Sequence, residues 1–175
     1  FSIGLSHIRS RNQPQMVSLV HTEPFHVLSF DCDLDSVHMT DAYRLRLFNR
    51  LDEQTQKYLF ISVGGYDIVY HDHPLLTAAP HPPTRTTFDV QIKNPPTVPT
   101  SFVRYAAGFL SATAVHVGPY ETLHQTYEKI IHWAQENGHT LGSDALEDYQ
   151  ITSQMVSDPS LYVTQVYIPL AGETI

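Results

Sequence analysis

Apolar positions alternate with polar ones early in the chain. Leu28, Phe30, Cys32 and Leu34 are interleaved with Ser29, Asp31 and Asp33, a period of two that predicts a strand in a segment beginning near Val17. Thr40 followed by Asp41 supplies a capping oxygen and a first-turn acid, which opens a helix. Tyr43, Leu47, Leu51 and Tyr58 then keep helical spacing, with Phe48 widening the apolar face and Arg44, Arg46, Arg50 and Glu53 read as its polar side. Leu59–Val63 reads as extended, Gly64-Gly65 as a turn, and Tyr66, Ile68 and Tyr70 as the next strand. Pro74–Pro83 holds four prolines and no period, an irregular loop; Thr87–Ile92 is a further strand, closed by Pro95-Pro96.

The plan then repeats. Phe102–Val117 is extended, with a break expected near Gly108. Gly118-Pro119 opens a second helix with Leu123, Tyr127, Ile130, Ile131 and Ala134 on one stripe, and Asn137-Gly138 stops it. Tyr149 and Ile151 mark another strand, and Tyr162–Leu170 the last. Asp72-His73-Pro74 and Asp158-Pro159 are matching loops, and Val90–Pro95 matches Thr164–Pro169. Internal repetition of this kind is a fold-level signal. The class predicted is α+β: two pseudo-symmetric β-α-β-β modules whose antiparallel sheet surrounds a central ligand groove. Residues 1–16 read as a lead-in or linker, and 17–175 as one domain with half-repeats over about 17–96 and 102–170.

The 175 residues, 42% hydrophobic and 16% charged, describe a globular chain able to bury a core. No apolar run approaches the roughly 18 residues of a membrane span. The lone Cys32 forms no internal disulfide, so a cytoplasmic location is expected. A formal charge of −8 argues against direct nucleic-acid binding and favours cationic partners.

His116-Val117-Gly118-Pro119-Tyr120, Leu123, Tyr127, Trp133, Asn137-Gly138-His139, Glu147-x-Tyr149, Asp158-Pro159 and Thr164–Pro169 form an ordered series. It resembles the GyrI-like domain, the effector-binding domain at the carboxyl end of transcription regulators of the BmrR and Rob type, built from paired SHS2 modules. A weaker echo, Tyr66–Tyr70 and Asp89–Pro95, extends the resemblance to the first half. What it implies is a groove for lipophilic, often cationic, small molecules, with a buried glutamate and aromatic walls. That role carries to Glu147, with Tyr66, Tyr70, Phe88, Trp133, Tyr149 and Tyr167 as the aromatic walls. Gln165 stands where family members often carry a second glutamate, which puts more of the cation preference on Glu147. The partners implied are a small lipophilic cation, a DNA-binding domain or other protein partner, and a second copy of the chain; no cofactor is implied.

The chemistry of such a groove is general. A carboxylate among apolar groups is disfavoured as a charged species, and a bound cation reverses that. At about 4 Å and an effective dielectric near 20 the attraction is roughly 4 kcal/mol before desolvation. Each aromatic face adds roughly 0.5–2 kcal/mol. Neither group demands a donor pattern, so one groove accepts many ligands. Alternatives stay open: Glu147 activating water in a hydrolase of strained cyclopropane-type compounds, a gyrase-inhibitor-like protein-binding module, and the haem-binding SOUL group that shares the fold type. His71-x-His73 lacks a spaced third ligand, so no metal site is assigned. His116 reads as a structural side chain of its turn.

Overall fold

The computed structural model describes residues 16–32, 39–77 and 85–175. The readings made for Phe1–Gln15, for Asp33 and Leu34, and for the proline loop beyond Thr77 fall outside those residues. The strands are β1 (Ser18–His21), β2 (Phe25–Cys32), β3 (Ser62–Tyr70), β4 (Thr86–Ile92), β5 (Val103–Ala106), β6 (Leu110–Val117), β7 (Ala145–Ile151) and β8 (Val163–Pro169). The helices are α1 (Asp41–Lys57) and α2 (Leu123–Glu136), the latter entered through a 3-10 turn at Tyr120–Thr122. The fold is α+β. Thr40 caps α1 by accepting the Tyr43 N–H at 3.1 Å, and Asn137-Gly138 ends α2, Gly138 adopting φ +72°.

All eight strands form one antiparallel sheet in the order β1-β6-β8-β7-β3-β4-β2-β5. The units β2-α1-β3-β4 and β6-α2-β7-β8 meet at the β3–β7 pair, where Ile68 opposes Glu147. The short strands cross over: β1 pairs with β6 of the second unit, and β5 pairs with β2 of the first. Only residues 22–24 and 107–109 join strands at opposite edges of the sheet. Three intervening residues make four steps and reach about 14 Å at most, so the sheet curls until its edges meet. There the two connections bond to each other, Thr22 N–H to Phe109 O at 2.9 Å and Phe109 N–H to Thr22 Oγ1 at 2.9 Å.

Both helices cover one face. Leu47, Phe48 and Leu51 of α1 and Leu123, Tyr127 and Ile130 of α2 join Leu28, Ile68, Phe88, Ala112, Val166 and Ile168 in a single core. Two readings change. Gly64-Gly65 is a bulge inside β3 rather than a turn, the register shifting between Val63 and Tyr66. Gly64 takes φ +74°, and a side chain on Gly65 would strike the Tyr149 carbonyl. Arg44, assigned by its charge to the polar side of α1, is buried, because it lies in line with Phe48, Leu51 and Thr55.

Candidate functional site

Glu147 lies on β7, beside the junction of the two units, and points toward the helices. It is 3% exposed. Its Oε1 accepts the Tyr127 hydroxyl at 2.9 Å from α2, and its Oε2 accepts the Tyr149 hydroxyl at 2.6 Å. Burial, reinforced by the carboxylate charge, raises both phenols well above their ordinary value, so both remain donors. The Tyr149 oxygen in turn accepts from Arg44 Nε at 3.0 Å. An arginine and a glutamate, each buried, are thus joined through one phenol.

The Arg44 guanidinium lies 4.6 Å from the Tyr120 ring centroid and 5.8 Å from that of Tyr149. Its Nη1 donates to Met39 O at 2.9 Å and stands 3.8 Å from Asp41. Burial works to lower the Arg44 pKa, but Tyr149, Tyr70 and Glu147 outweigh it and raise the value above the ordinary one. Tyr120 stacks on Tyr162 at 5.0 Å and meets Tyr149 edge-on at 5.4 Å. Its hydroxyl is buried and has no hydrogen-bond partner among the described residues. His73 completes the cluster, stacked 4.5 Å from Tyr127 and edge-on to Tyr70 at 5.1 Å. Burial lowers its pKa against the pull of Glu147, and its Nδ1 accepts the Leu75 N–H at 3.1 Å, so the ring is neutral.

Of the residues singled out in the sequence, Glu147, Tyr149 and Tyr70 come together here. Tyr66 lies next in line: it stacks on Phe48 at 4.6 Å and donates to Asp52 at 2.7 Å. Phe88 packs deeper in the first unit, 5.6 Å from Phe30 and under Arg50. Trp133 stacks on His139 at 5.3 Å rather than on any member of the cluster. Tyr167 and Gln165 lie on the opposite face of the sheet. Glu147 opposes Val166, so the flanking pairs Leu146–Tyr167 and Asp148–Gln165 point the other way. Gln165 there donates to Thr113 Oγ1 at 3.0 Å.

Sequence reasoning passed over Arg44, Tyr120, Tyr127 and Tyr162 as site residues. Tyr120 and Tyr127 belong to the motif series, and only their place in it could have promoted them. His116 closes its own turn, Nδ1 against Thr126 Oγ1 at 2.8 Å and Nε2 donating to Pro119 O at 3.0 Å. Among the described residues no group of three His, Cys, Asp or Glu side chains is placed to hold a metal, and no helix is long and apolar enough to cross a membrane.

The family described as GyrI-like small molecule binding domain matches residues 15–171. The chain belongs to that family. This GyrI-like domain superposes on the EcmrR C-terminal domain with a TM-score of 0.73 at 15% identity, covering 90% of this chain and 98% of that one. It superposes equally, at TM-score 0.73 and 15% identity, on EcmrR in a DNA complex, where 96% of this chain spans 62% of that one. SAV2435 bound to tetraphenylphosphonium aligns at TM-score 0.56 and 12% identity over 90% of this chain and 94% of that one. A hydrolase from Listeria innocua aligns at TM-score 0.59 and 11% identity over 95% and 97%. At these identities the likeness shows the fold alone. No curated protein sequence matches the GyrI-like domain described here.

Proposed function

We propose that this GyrI-like domain binds a lipophilic organic cation in the buried aromatic cluster around Glu147, in the seat held by the Arg44 guanidinium. On this reading it reports occupancy to a DNA-binding region or a protein partner. One observation carries the reading: the chain already stabilises a buried cation there, against two phenol rings and linked to Glu147 through Tyr149. Exchanging one cation for another preserves the charge balance of a low-dielectric site, whereas a neutral guest would leave Glu147 without a counter-charge. On this reading Arg44, held at the start of α1 by Tyr149 and the Met39 carbonyl, gives up its seat to the guest. The unpartnered Tyr120 hydroxyl offers a guest one polar contact, and the remaining rings make undemanding walls.

The test compares tetraphenylphosphonium with neutral triphenylphosphine oxide by calorimetry. Glu147→Gln is expected to weaken the cation by about tenfold or more and to leave the neutral compound unchanged. Equal losses would make Glu147 a structural residue and end the reading. Product beyond one equivalent from a strained lipophilic electrophile would point to hydrolysis instead.

A further inference from the structure

The face of the sheet turned away from the helices holds a cavity of its own. Where the edges meet, the sheet encloses about 420 Å³, within the range of small-molecule sites. Val20, Val27, Phe109 and Leu146 form apolar walls, and the floor is the cross-strand pair Asp67 of β3 and Asp148 of β7. Asp89 on β4 is satisfied, accepting Arg104 Nη2 at 2.6 Å and the Ser29 hydroxyl at 2.5 Å. Asp67 is not. It is 7% exposed, it lines the cavity, and its side chain bonds to the Asp148 carboxyl. Two carboxyls can bond only by sharing a proton. Burial, then the charges of Asp148 and Asp89, hold Asp67 well above the ordinary carboxyl range, so Asp67 keeps the proton and donates it.

The charge balance follows. Asp89 faces Arg104, while Asp67 and Asp148, both raised first by burial, share one proton, so the pair keeps a single negative charge, met on the Asp148 side by the neutral Gln150 Nε2 at 3.1 Å. Glu23, exposed at the rim, adds to the negative field. The described carboxyls are not arranged to hold a metal, which leaves an organic cation. Carboxylate oxygens ask for N–H donors, unlike an aromatic cage, which takes a cation that has none.

We propose that this cavity is a second ligand site, selective for a primary or secondary ammonium on a compact apolar body, with Asp148 accepting its N–H and the walls taking the body. It lies back to back with the aromatic cluster, since Glu147 and Asp148 are neighbours on one strand and point to opposite faces. It does not depend on the function proposed for that cluster.

The experiment titrates the protein with tryptamine, neutral tryptophol and tetraphenylphosphonium by calorimetry, with thermal unfolding confirming that each variant is folded. Tryptamine is expected to bind saturably and about tenfold or more tighter than tryptophol. Asp148→Asn is expected to remove that preference while leaving tetraphenylphosphonium unchanged. Leu146→Trp fills the cavity with both carboxyls intact and is expected to abolish tryptamine binding, and it decides the matter if Asp148→Asn does not fold. Asp67→Asn keeps a neutral donor to Asp148 and should retain the amine. Absence of saturable tryptamine binding, or affinity unchanged in Asp148→Asn and Leu146→Trp, would overturn the proposal. So would a loss confined to Glu147→Gln, which would place the amine in the aromatic cluster.

Discussion

Taking an arginine out of water costs several kcal/mol, and at position 44 that cost is met by two ring faces, a phenolic oxygen and a backbone carbonyl. Removing the charge alone isolates its role. Arg44→Met keeps most of the packing stem but leaves Glu147 without its cation, a change expected to cost about 3 kcal/mol. The same variant has no internal cation to displace. Tetraphenylphosphonium should therefore raise its melting temperature more than it raises that of the unaltered protein. Thermal unfolding with and without the compound checks this, and equal shifts would show that Arg44 does not compete for the seat.

Among the elements, the β3–β7 junction holds both candidate sites in register. Its bulge lets β3 pass Tyr149 closely only because Gly65 has no side chain. Gly65→Ala is expected to destabilise the protein by about 1–3 kcal/mol, read from denaturant midpoints. A loss within a few tenths of a kcal/mol would show that the bulge yields easily. The repeated strand and helix pattern made the α+β plan legible, because period-two and helical spacing survive wherever a face is buried. Two features resisted for physical reasons. A glycine pair reads alike as a turn or a bulge until the partner strand is known. Over Ala145–Tyr149 and on β8 neither face is exposed, so Leu146-Glu147-Asp148-Tyr149 shows no clean polar alternation. Nothing local then tells which parity faces the helices, and Tyr167 and Gln165 fell on the far side. Arg44 was hidden by its charge: only the buried stripe it shares with Phe48 and Leu51 marks it as inward.

Across the whole molecule, stability should depend on pH through two opposed sets of groups. Asp67, Asp89 and Asp148 all have raised values, chiefly through burial, with Arg104 pulling Asp89 and Asp67 the other way. For raised acids the folded state holds protons that the unfolded chain releases. Their contribution is full below the unfolded aspartate value of about 3.9 and is lost as pH climbs through the folded values. His73 and His116 are lowered by burial, and their contribution is present above about pH 6.5 and lost as pH falls. Asp67→Asn removes one member of the first set. It is expected to melt above the unaltered protein near pH 8, the gap closing toward pH 4. A gap constant across thermal unfolding in that range would mean that Asp67 carries no retained proton.

The exchange of short strands between the halves has a consequence for biosynthesis. Ser18 pairs with Thr113 and Phe25 with Ala106, so the earliest strands are completed by residues made much later. A nascent polypeptide leaving the ribosome presents β1 without its β6 partner, and β2 paired with β4 on one side alone, until the later residues follow. A prematurely released product would therefore expose unpaired strand edges, the surface on which foreign strands add.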